Sequence, residues 1–288
     1  MRSGASSRQH PRGPGDLQVK ASRNAVQVQH FSGKIKALGL FRLHGGGIDL
    51  LYVHASLGDD GLVIPSEGGY KAIPAPGVND SRRTARVLTG TGPVSWSHDG
   101  TLEGIWDLNG NIWEWNGGSR TVKGELQVLV NNNAADLDHS QAASSAQWKA
   151  IDATTGAYIT PNGSGTTANS IKLDWVSGKI TYSATITTQA DASRDCAFAS
   201  VTCASSVSAA AQAVLKALAF LPASATASEY EDDHMWMNNG ADERAFCSGG
   251  GWDDGASAGL FALHGGNPRS TSGWGLGFRS AYVDLPTE

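Results

Sequence analysis

The C-terminal stretch Ala245–Leu285 constrains the fold more than any other part of the chain. It starts with a glycine-rich turn before a tryptophan and ends in Gly-Phe-Arg-Ser-Ala, and small and polar residues fill most of the interval. Large apolar residues stand among them at Leu260, Phe261, Leu263 and Phe278. This pattern predicts short strands joined by exposed, glycine-bent turns. Because binding usually resides on loops held by a firm scaffold, we expect a binding surface here.

Composition limits the classes of protein open to the chain. Its 288 residues are 40% apolar and only 17% charged, and 36 are glycine, which favours turns and irregular loops over long surface helices. The net charge of −5, with scattered basic residues, argues against a broad nucleic-acid surface. No apolar run approaches the length of a membrane span, and the N-terminus lacks the apolar middle of a Sec signal peptide. We therefore expect no nucleic-acid partner and no membrane insertion.

The chain divides into a short arm and one large domain. Residues 1–30 begin polar and rich in Arg, Gly and Pro, which predicts an N-terminal arm that is partly disordered or a strand. No linker divides residues 31–288, and 245–285 form their C-terminal region. The strongest helix signal is Ser206–Leu221, with a serine cap and Pro222 as a stop. Strands are predicted at Lys123–Val130, Trp148–Ile151, Tyr158–Ile159, Ile171–Trp175 and Lys179–Ile186.

A second landmark is the segment Asp107–Trp115, which reads DLNGNIWEW. Asn-Gly favours a tight turn, and strand alternation in the following Trp-Glu-Trp puts both indoles on one side and the carboxylate on the other. Three tryptophans are expected to lie in the core, because bulky residues that follow glycine turns pack under loops: Trp113, Trp115 and Trp252. The acidic segment Glu229–Asp233 is expected to be a solvated loop.

The same landmark offers two readings of its polar side chains. Asp107, Asn109 and Glu114 could ligate Ca²⁺ together with backbone carbonyls, because hard oxygen donors in a compact turn suit that ion. The alternative is that the carboxylates hydrogen-bond the turn's own backbone amides. We favour the alternative, because one loop supplies few carboxylates. No cofactor is expected otherwise, and structural calcium stays open.

Together the two landmarks resemble the domain shared by formylglycine-generating enzymes and related sulfatase-modifying-factor proteins. They lie about 140 residues apart and in the order that this family shows, and the resemblance covers roughly residues 35–285. It implies an α+β architecture, a C-type-lectin-like fold of the sulfatase-modifying-factor type, with many short strands, long loops and few helices.

The oxidase chemistry of those enzymes depends on a reactive cysteine pair just after the Gly-Gly-x-Trp start. Here that segment, Trp252–Gly259, contains no cysteine, and Cys247 precedes it without a partner in sequence. A nucleophilic or copper-binding thiol pair needs thiolates in one microenvironment. We therefore predict that the protein is not an enzyme. For the other two cysteines, a Cys196–Cys203 disulfide is the alternative to free buried thiols, which we favour.

A closer resemblance is to the variable proteins of diversity-generating retroelements, many of which are phage tail-tip or surface-displayed binding proteins. The C-terminal block of that branch has a constant frame, which this chain matches except that Ser248 stands where the branch commonly has arginine. The two arginines of the frame are expected to tie loops together. The framework residues implied by the resemblance are Gly249, Gly250, Trp252, Phe261, Arg269, Gly277, Phe278 and Arg279.

Between the framework residues lie positions that this branch diversifies by substituting adenines, often in asparagine codons. Such a codon yields Gly, Asp, Ser, His, Thr or Asn, and loops in general are rich in the same residues. We favour diversification because frame and intervening positions agree together. The variable positions, expected to contact ligand, are Gly251, Asp253, Asp254, Ser257, His264, Gly266, Asn267, Thr271 and Gly273, with Trp274 as the expected anchor although no asparagine codon reaches tryptophan.

The resemblance implies a non-enzymatic binding protein whose diversified C-terminal surface recognises a protein or glycan receptor on a cell surface. The expected location is a virion, as part of a phage tail, or a cell surface, and an oligomer would raise avidity. Two alternatives remain: a formylglycine-generating-type oxidase acting on a protein cysteine, which the missing cysteine pair disfavours, and a structural virion subunit without a receptor.

Overall fold

The computed structural model describes residues 66–67, 70–71, 86–131, 133–136, 138–224, 229–273 and 275–279. The predicted N-terminal arm at residues 1–30 and the predicted anchor Trp274 lie outside these ranges. Within them, no helix is long and apolar enough to cross a membrane.

Short strands and a single α-helix make up most of the regular structure of the described ranges. The helix α1 spans Ala209–Ala217. The strands are β1 (Ser66–Glu67), β2 (Tyr70–Lys71), β3 (Trp113–Val122), β4 (Glu125–Val128), β5 (Lys149–Ile151), β6 (Tyr158–Ile159), β7 (Lys172–Val176), β8 (Lys179–Ser183), β9 (Arg194–Ala197), β10 (Thr202–Cys203), β11 (His234–Met237), β12 (Arg244–Ser248), β13 (Leu263–Asn267) and β14 (Leu276–Gly277).

One mixed sheet contains every described strand except the β1–β2 pair. Its order is β10-β8-β7-β4-β3-β12-β13-β11-β9, with β14 added beside β3 and β5–β6 beside β4. Most neighbours are antiparallel, while β10–β8, β11–β13 and β14–β3 are parallel. The sheet curls so that its two ends approach each other. This is shown by the backbone N–H of Ile180 in β8, which donates to Sγ of Cys196 in β9 at 3.5 Å. Strands from opposite parts of the order thus come together around one core.

Two hairpins follow from local sequence. The turn between β3 and β4 uses Lys123 at φ 47° and Gly124 at φ 85°, and the turn between β7 and β8 uses Ser177 at φ 51° and Gly178 at φ 78°. Two consecutive residues with positive φ form the two-residue turn whose twist matches that of paired strands. The predicted strands over 123–186 are confirmed in place, with ends shifted by a few residues.

The predicted helix is confirmed but shorter than its sequence signal. Ser208 caps it by accepting a hydrogen bond from the Ala211 backbone. It ends at Ala217 because Ala219 turns into the left-handed region at φ 59°, and the Phe220 N–H then donates to the Leu215 carbonyl at 2.9 Å. This ending satisfies a free carbonyl of the last turn and directs the next aromatic side chain into the core.

The core lies on one side of the sheet, under α1. Its members are almost fully buried, and strand alternation selects them: Met235 and Met237 of β11 point inward, while His234 and Trp236, which alternate with them, do not. The largest buried core side chains include Leu126, Ile151, Ile171, Leu173, Ile180, Tyr182, Phe198, Tyr230 and Phe246. A fold of many short strands, long loops and few helices is therefore confirmed for the described residues.

Candidate functional site

The two sequence landmarks meet in the centre of the sheet. β12 pairs with β3 so that Cys247 lies opposite Trp115 and Ser248 opposite Glu114. Just beyond the strands, the backbone N–H of Gly110 donates to the carbonyl of Gly249 at 2.7 Å. Segments about 140 residues apart in sequence therefore form one structural unit.

Gly249 and Gly250 are required by backbone conformation and space. Their φ values are +92° and +82°, a region that L side chains rarely adopt. A Cβ on Gly250 would lie 2.4 Å from the Cβ of Ala258, which is inside van der Waals contact. The turn that begins the C-terminal block is thus specified by glycine itself, as a framework role demands.

Arg279 joins the end of the C-terminal block to the first landmark. Its guanidinium holds Glu114 through two hydrogen bonds, Nε to Oε2 at 2.7 Å and Nη2 to Oε1 at 2.5 Å. Nη2 also donates to the backbone carbonyl of Asp107 at 3.3 Å. β14 supports the contact by pairing parallel with β3, where Gly277 lies opposite Glu114. The predicted loop-tying role of Arg279 is confirmed.

Arg269 fastens the middle of the block in the same manner. Its Nε and Nη2 each donate to Glu243 at 2.7 Å, and its Nη1 donates to the Gln141 carbonyl at 2.9 Å. Glu243 also accepts from Arg120 at 2.8 Å. The hydrogen bonds from Arg269 hold the pKa of Glu243 below its usual value. The loop-tying role of Arg269 is likewise confirmed.

The three aromatic framework residues differ in burial. Trp252 is fully buried, and the half-buried Phe261 stacks on Phe198 with ring centroids 5.6 Å apart. Phe278, however, is 75% exposed, so the framework role expected of its ring is wrong. β14 ends at Gly277, and Arg279 turns inward to Glu114. Side chains alternate in extended backbone, so the intervening phenyl ring points outward.

The first variable positions form a tight turn rather than an open loop. Gly251 is buried, and a Cβ there would lie 3.2–3.4 Å from Asp254, Asp253 and Trp113 atoms. The Asp254 carboxylate accepts from the Gly251 backbone, and burial raises the pKa of Asp254. Gly251 and Asp254 are therefore not the exposed positions that we expected, because the turn closes on itself. Asp253 is exposed, and Ser257 is half-buried at the end of a 3₁₀ turn.

The later variable positions lie along β13 and the loop after it. His264 and Gly266 are on the face of β13 opposite the core, since Leu263 and Gly265 are the buried members of the strand. Asn267 ends the strand half-buried, and its amide contacts Cys247 Sγ at 3.9 Å. Beyond it, Thr271 is half-buried, and Gly273 is exposed with nothing within 4 Å of the place of a Cβ.

Four partly exposed rings join the two groups of variable positions, and we call them the aromatic ridge: His234, Trp236, His264 and Trp113. Trp236 contacts His234 at 5.5 Å, stacks with His264 at 5.8 Å, and meets Trp113 edge-to-face at 5.4 Å between centroids. Trp113 also contacts His264 at 5.4 Å. The ridge crosses β11, β13 and the start of β3 on the side away from the core.

A carboxylate stands at each end of the aromatic ridge. At one end, Asp195 Oδ2 lies 3.1 Å from His234 Nδ1, and the Asp195 side chain is 46% exposed. At the other end, the Trp113 side chain lies beside the Asp254 carboxylate. Burial lowers the pKa of His264, so that ring is neutral at pH 7. The surface is therefore a row of rings between two acidic groups.

The sequence patterns did not identify two of the four residues of the aromatic ridge, Trp236 and His234. Trp113 and Trp115 are half-buried, so the expectation that both lie in the core is wrong, because β3 turns these indoles to the face away from it. Trp236 and His234 were not singled out, although the alternation His-Met-Trp-Met is a signal of a two-faced strand. The expectation for Glu229–Asp233 is also wrong in part. Tyr230 and Asp233 are buried, and an Asp233 oxygen accepts from the Phe261 backbone at 2.7 Å.

All three cysteines are free thiols, so the alternative of a Cys196–Cys203 disulfide is excluded. Burial raises the pKa of each: Cys247 to about 12, Cys203 to about 11, and Cys196 above its ordinary value. Cys247 is fully buried between β3 and β13. None of these environments favours a thiolate at neutral pH.

The three residues considered for calcium do not act as one ligand set. The Glu114 carboxylate is held on both oxygens by Arg279, which leaves it poorly placed to bind a cation. Asp107 is buried and accepts from the Gly90 backbone at 3.3 Å, while its other oxygen and the side-chain oxygen of Asn109 have no hydrogen-bond partner. Across the described ranges, no cluster of three His, Cys, Asp or Glu suits a metal ion. Ca²⁺ coordination by Glu114 therefore does not fit.

A cavity of about 550 Å³ lies elsewhere, beside the Arg120–Glu243 ion pair. Its largest ring, Trp148, is only 2% exposed, and the Arg120 guanidinium lies 4.3 Å from the ring centroid. The ring is thus already covered by a guanidinium of this protein.

No protein-family model matches the chain, and no curated protein matches it.

Proposed function

We propose that this chain is a non-enzymatic binding protein with a C-type-lectin-like domain of the sulfatase-modifying-factor type, and that a retroelement diversifies its C-terminal region, residues 245–285. The observation that carries the proposal is the division of work within that region. Gly249, Gly250, Arg269 and Arg279 hold the backbone, and the exposed variable positions take no part in those contacts.

The nature of the framework contacts explains why neighbouring positions can vary. They run through backbone groups and two arginine–carboxylate pairs, Arg269–Glu243 and Arg279–Glu114. Substitution at an exposed position such as Asp253 or Gly273 leaves each of these contacts intact. Surface changes away from core and caps ordinarily alter stability by less than about 0.5 kcal/mol. New binding surfaces are therefore compatible with one fold.

The proposed ligand is a receptor on a cell surface, and the proposed location is a phage tail or the surface of a cell. A net charge of −5 supports a partner other than nucleic acid. Assembly into an oligomer would multiply a modest individual affinity. Calcium remains an open element of the proposal, restricted to Asp107 and Asn109.

The thiol environments support a binding role over the oxidase alternative. A copper-dependent oxidase needs accessible thiolates, whereas Cys247 is fully buried with a pKa raised to about 12. Copper-dependent oxidation of a cysteine-containing peptide by this protein would refute the non-enzymatic assignment.

The test is a variant with four simultaneous changes at variable positions, probed on a panel of intact bacterial strains by flow cytometry with the labelled full chain. The changes are Asp253→Gly, Ser257→Asn, His264→Asn and Thr271→Asp. We expect a different set of strains to be labelled, with a melting temperature within a few degrees of the parent.

The matched control carries four changes at exposed sites outside the C-terminal region: Leu102→Ser, Tyr158→Ser, Val176→Ser and Asp242→Ser. This control should label the same strains as the parent. If both variants label the same strains as the parent, the receptor-binding role of the region is wrong, and the result favours a structural virion subunit without a receptor. Flanking DNA that lacks a reverse transcriptase and a near-copy of the terminal coding region would refute diversification.

A further inference from the structure

The aromatic ridge has an unusual relation to the cations of this protein. Trp148 and Trp175 each carry a guanidinium of the same chain, Arg120 at 4.3 Å and Arg194 at 5.8 Å from the ring centroid. In the described part of the chain, neither Trp113 nor Trp236 has such a partner. Trp113 and Trp236 are thus partly exposed rings that no described guanidinium covers.

The carboxylate at one end of the ridge, Asp254, also lacks a cationic partner among the described residues. Asp254 is largely buried, its carboxylate accepts a hydrogen bond from the backbone N–H of Gly251, and the Trp113 side chain lies beside it. No described Lys or Arg forms an ion pair with it. Other acidic groups do have such partners: Glu114 pairs with Arg279, and Glu243 with Arg120 and Arg269. A buried carboxylate without a cation is costly, and an incoming positive charge would relieve that cost.

We propose that the aromatic ridge binds a lysine or arginine side chain of a protein receptor, with the cation over Trp236 and Trp113 and its charge directed to Asp254. Asp195, which is partly exposed beside His234, is the acidic group at the other end of the ridge. The inference rests on the proposed function, because it names the chemistry of the ligand taken by that same surface.

A cation fits this surface better than a neutral or negative ligand. Indole rings attract cations through the negative face of the π-system, and the attraction strengthens where water is partly excluded. Carboxylates at both ends repel anions and add Coulomb attraction for a cation. The neutral state of His264 keeps positive charge out of the middle of the ridge. The site therefore has aromatic faces and negative charge, and no described Lys or Arg pairs with Asp254 or lies over either indole.

The experiment measures fluorescence anisotropy of a labelled heptapeptide, Gly-Arg-Gly-Arg-Gly-Arg-Gly, on titration with the full chain at physiological salt. The matched peptide has citrulline in place of arginine, which keeps the planar shape but removes the charge and replaces one donor nitrogen by a carbonyl oxygen. Maltohexaose serves as a neutral glycan competitor. We expect the arginine peptide to bind at least about tenfold more tightly than the citrulline peptide, with no displacement by maltohexaose.

Variants locate the binding on the ridge. Trp236→Ala should weaken arginine-peptide binding roughly 5- to 30-fold, and Trp236→Phe should fall between it and the parent. Asp254→Asn should weaken it about 3- to 10-fold while preserving the size of the side chain. The controls are Tyr158→Ala, an exposed aromatic on β6, and Asp242→Asn, an exposed acid whose side chain is 93% exposed. Both controls should bind like the parent.

The inference is overturned by equal affinity for the arginine and citrulline peptides, or by equal weakening by ridge and control variants. Displacement by maltohexaose would also overturn it and would mark a glycan surface.

The proposed function is tested separately. If the four-position variant changes the labelled strains while the arginine peptide does not bind, receptor binding stands and the cationic ligand is wrong. If the peptide binds through the ridge but the four-position variant labels the same strains as the parent, the cation site on the ridge stands and the diversified receptor surface is refuted.

Discussion

The two faces of β11 and β13 differ in nearly every respect, although they belong to the same residues of backbone. On the inner face, Met235 and Leu263 are opposite one another in a close-packed core. On the outer face, Trp236 and His264 are opposite one another and partly exposed. The inner pair contributes to stability through burial, and the outer pair presents rings between two carboxylates.

The difference teaches how one strand can serve two purposes. Successive side chains of a strand point to opposite faces, so a change on one face leaves the packing of the other intact. Framework residues extend the same separation into the loops, because Gly250 and Arg279 hold the backbone while Asp253 and Gly273 face outward. In the proposed binding role, stability and recognition are therefore assigned to different atoms of the same elements.

The largest expected change in the free energy of unfolding comes from a substitution on the inner face of the sheet. Phe246 is fully buried, and its ring packs against Phe220 with centroids 5.0 Å apart. We expect Phe246→Ala to lower the free energy of unfolding by about 3–5 kcal/mol, because truncation removes buried area and leaves a cavity. Urea denaturation followed by far-UV circular dichroism measures this. A loss below about 1 kcal/mol would contradict the assignment of this face as the core.

A framework glycine should be nearly as sensitive. Gly250→Ala should cost about 2–4 kcal/mol, since it combines a positive φ of +82° with a Cβ contact of 2.4 Å to Ala258. Gly273→Ala, at a variable position with open space around it, should change stability by less than about 0.5 kcal/mol. Equal losses in the two variants would remove the distinction between framework and variable positions.

The Arg279–Glu114 pair should show moderate coupling. Both side chains are about one-fifth exposed, at 21% and 22%, and two hydrogen bonds join them. A double-mutant cycle with Arg279→Met and Glu114→Gln should give a coupling of about 1–2 kcal/mol. The exposed pair Lys123–Asp242, at 3.5 Å, should give less than about 0.5 kcal/mol in the same measurement. Coupling that is no larger for Arg279 would show that it does not fasten the C-terminal end.

Asp254→Asn should produce a smaller change whose sign depends on pH. Burial raises the folded-state pKa of Asp254 above its unfolded value, so the folded state binds a proton more readily. The unfolded chain then releases protons at lower pH, and the parent protein loses stability as pH rises through the folded pKa. From pH 4 to pH 7, we expect the melting temperature of the variant to rise relative to that of the parent. A relative loss over this interval would reverse the assigned direction.

The smallest effect is expected at the ring that we first assigned to the framework. Phe278 is 75% exposed, so Phe278→Ala should change the free energy of unfolding by less than about 0.5 kcal/mol. It is the direct counterpart of Phe246→Ala, with the same truncation on an exposed ring. A loss comparable with that of Phe246→Ala would mean that the phenyl ring packs in solution.

Much of the scaffold was predictable because it depends on short-range rules. The β7–β8 hairpin, the capped helix and the glycine turn at Gly249 and Gly250 all follow from local conformational preferences. The two arginines were assigned correctly because a guanidinium near polar loops has many donors to satisfy. The errors at Phe278, Gly251 and Trp113 concern exposure, which depends on distant strands.

What the sequence by itself determined is therefore the set of bends and alternations: where glycine is needed, where strands turn, and that His234 and Met235 face opposite ways. Tertiary structure alone decided which of those two faces is covered. It placed β13 beside β11 and β12 beside β3, which brought Trp236, His264 and Trp113 into contact. The physical reason is that alternation is local, whereas burial is a property of what packs against a face, and those partners come from distant parts of the chain.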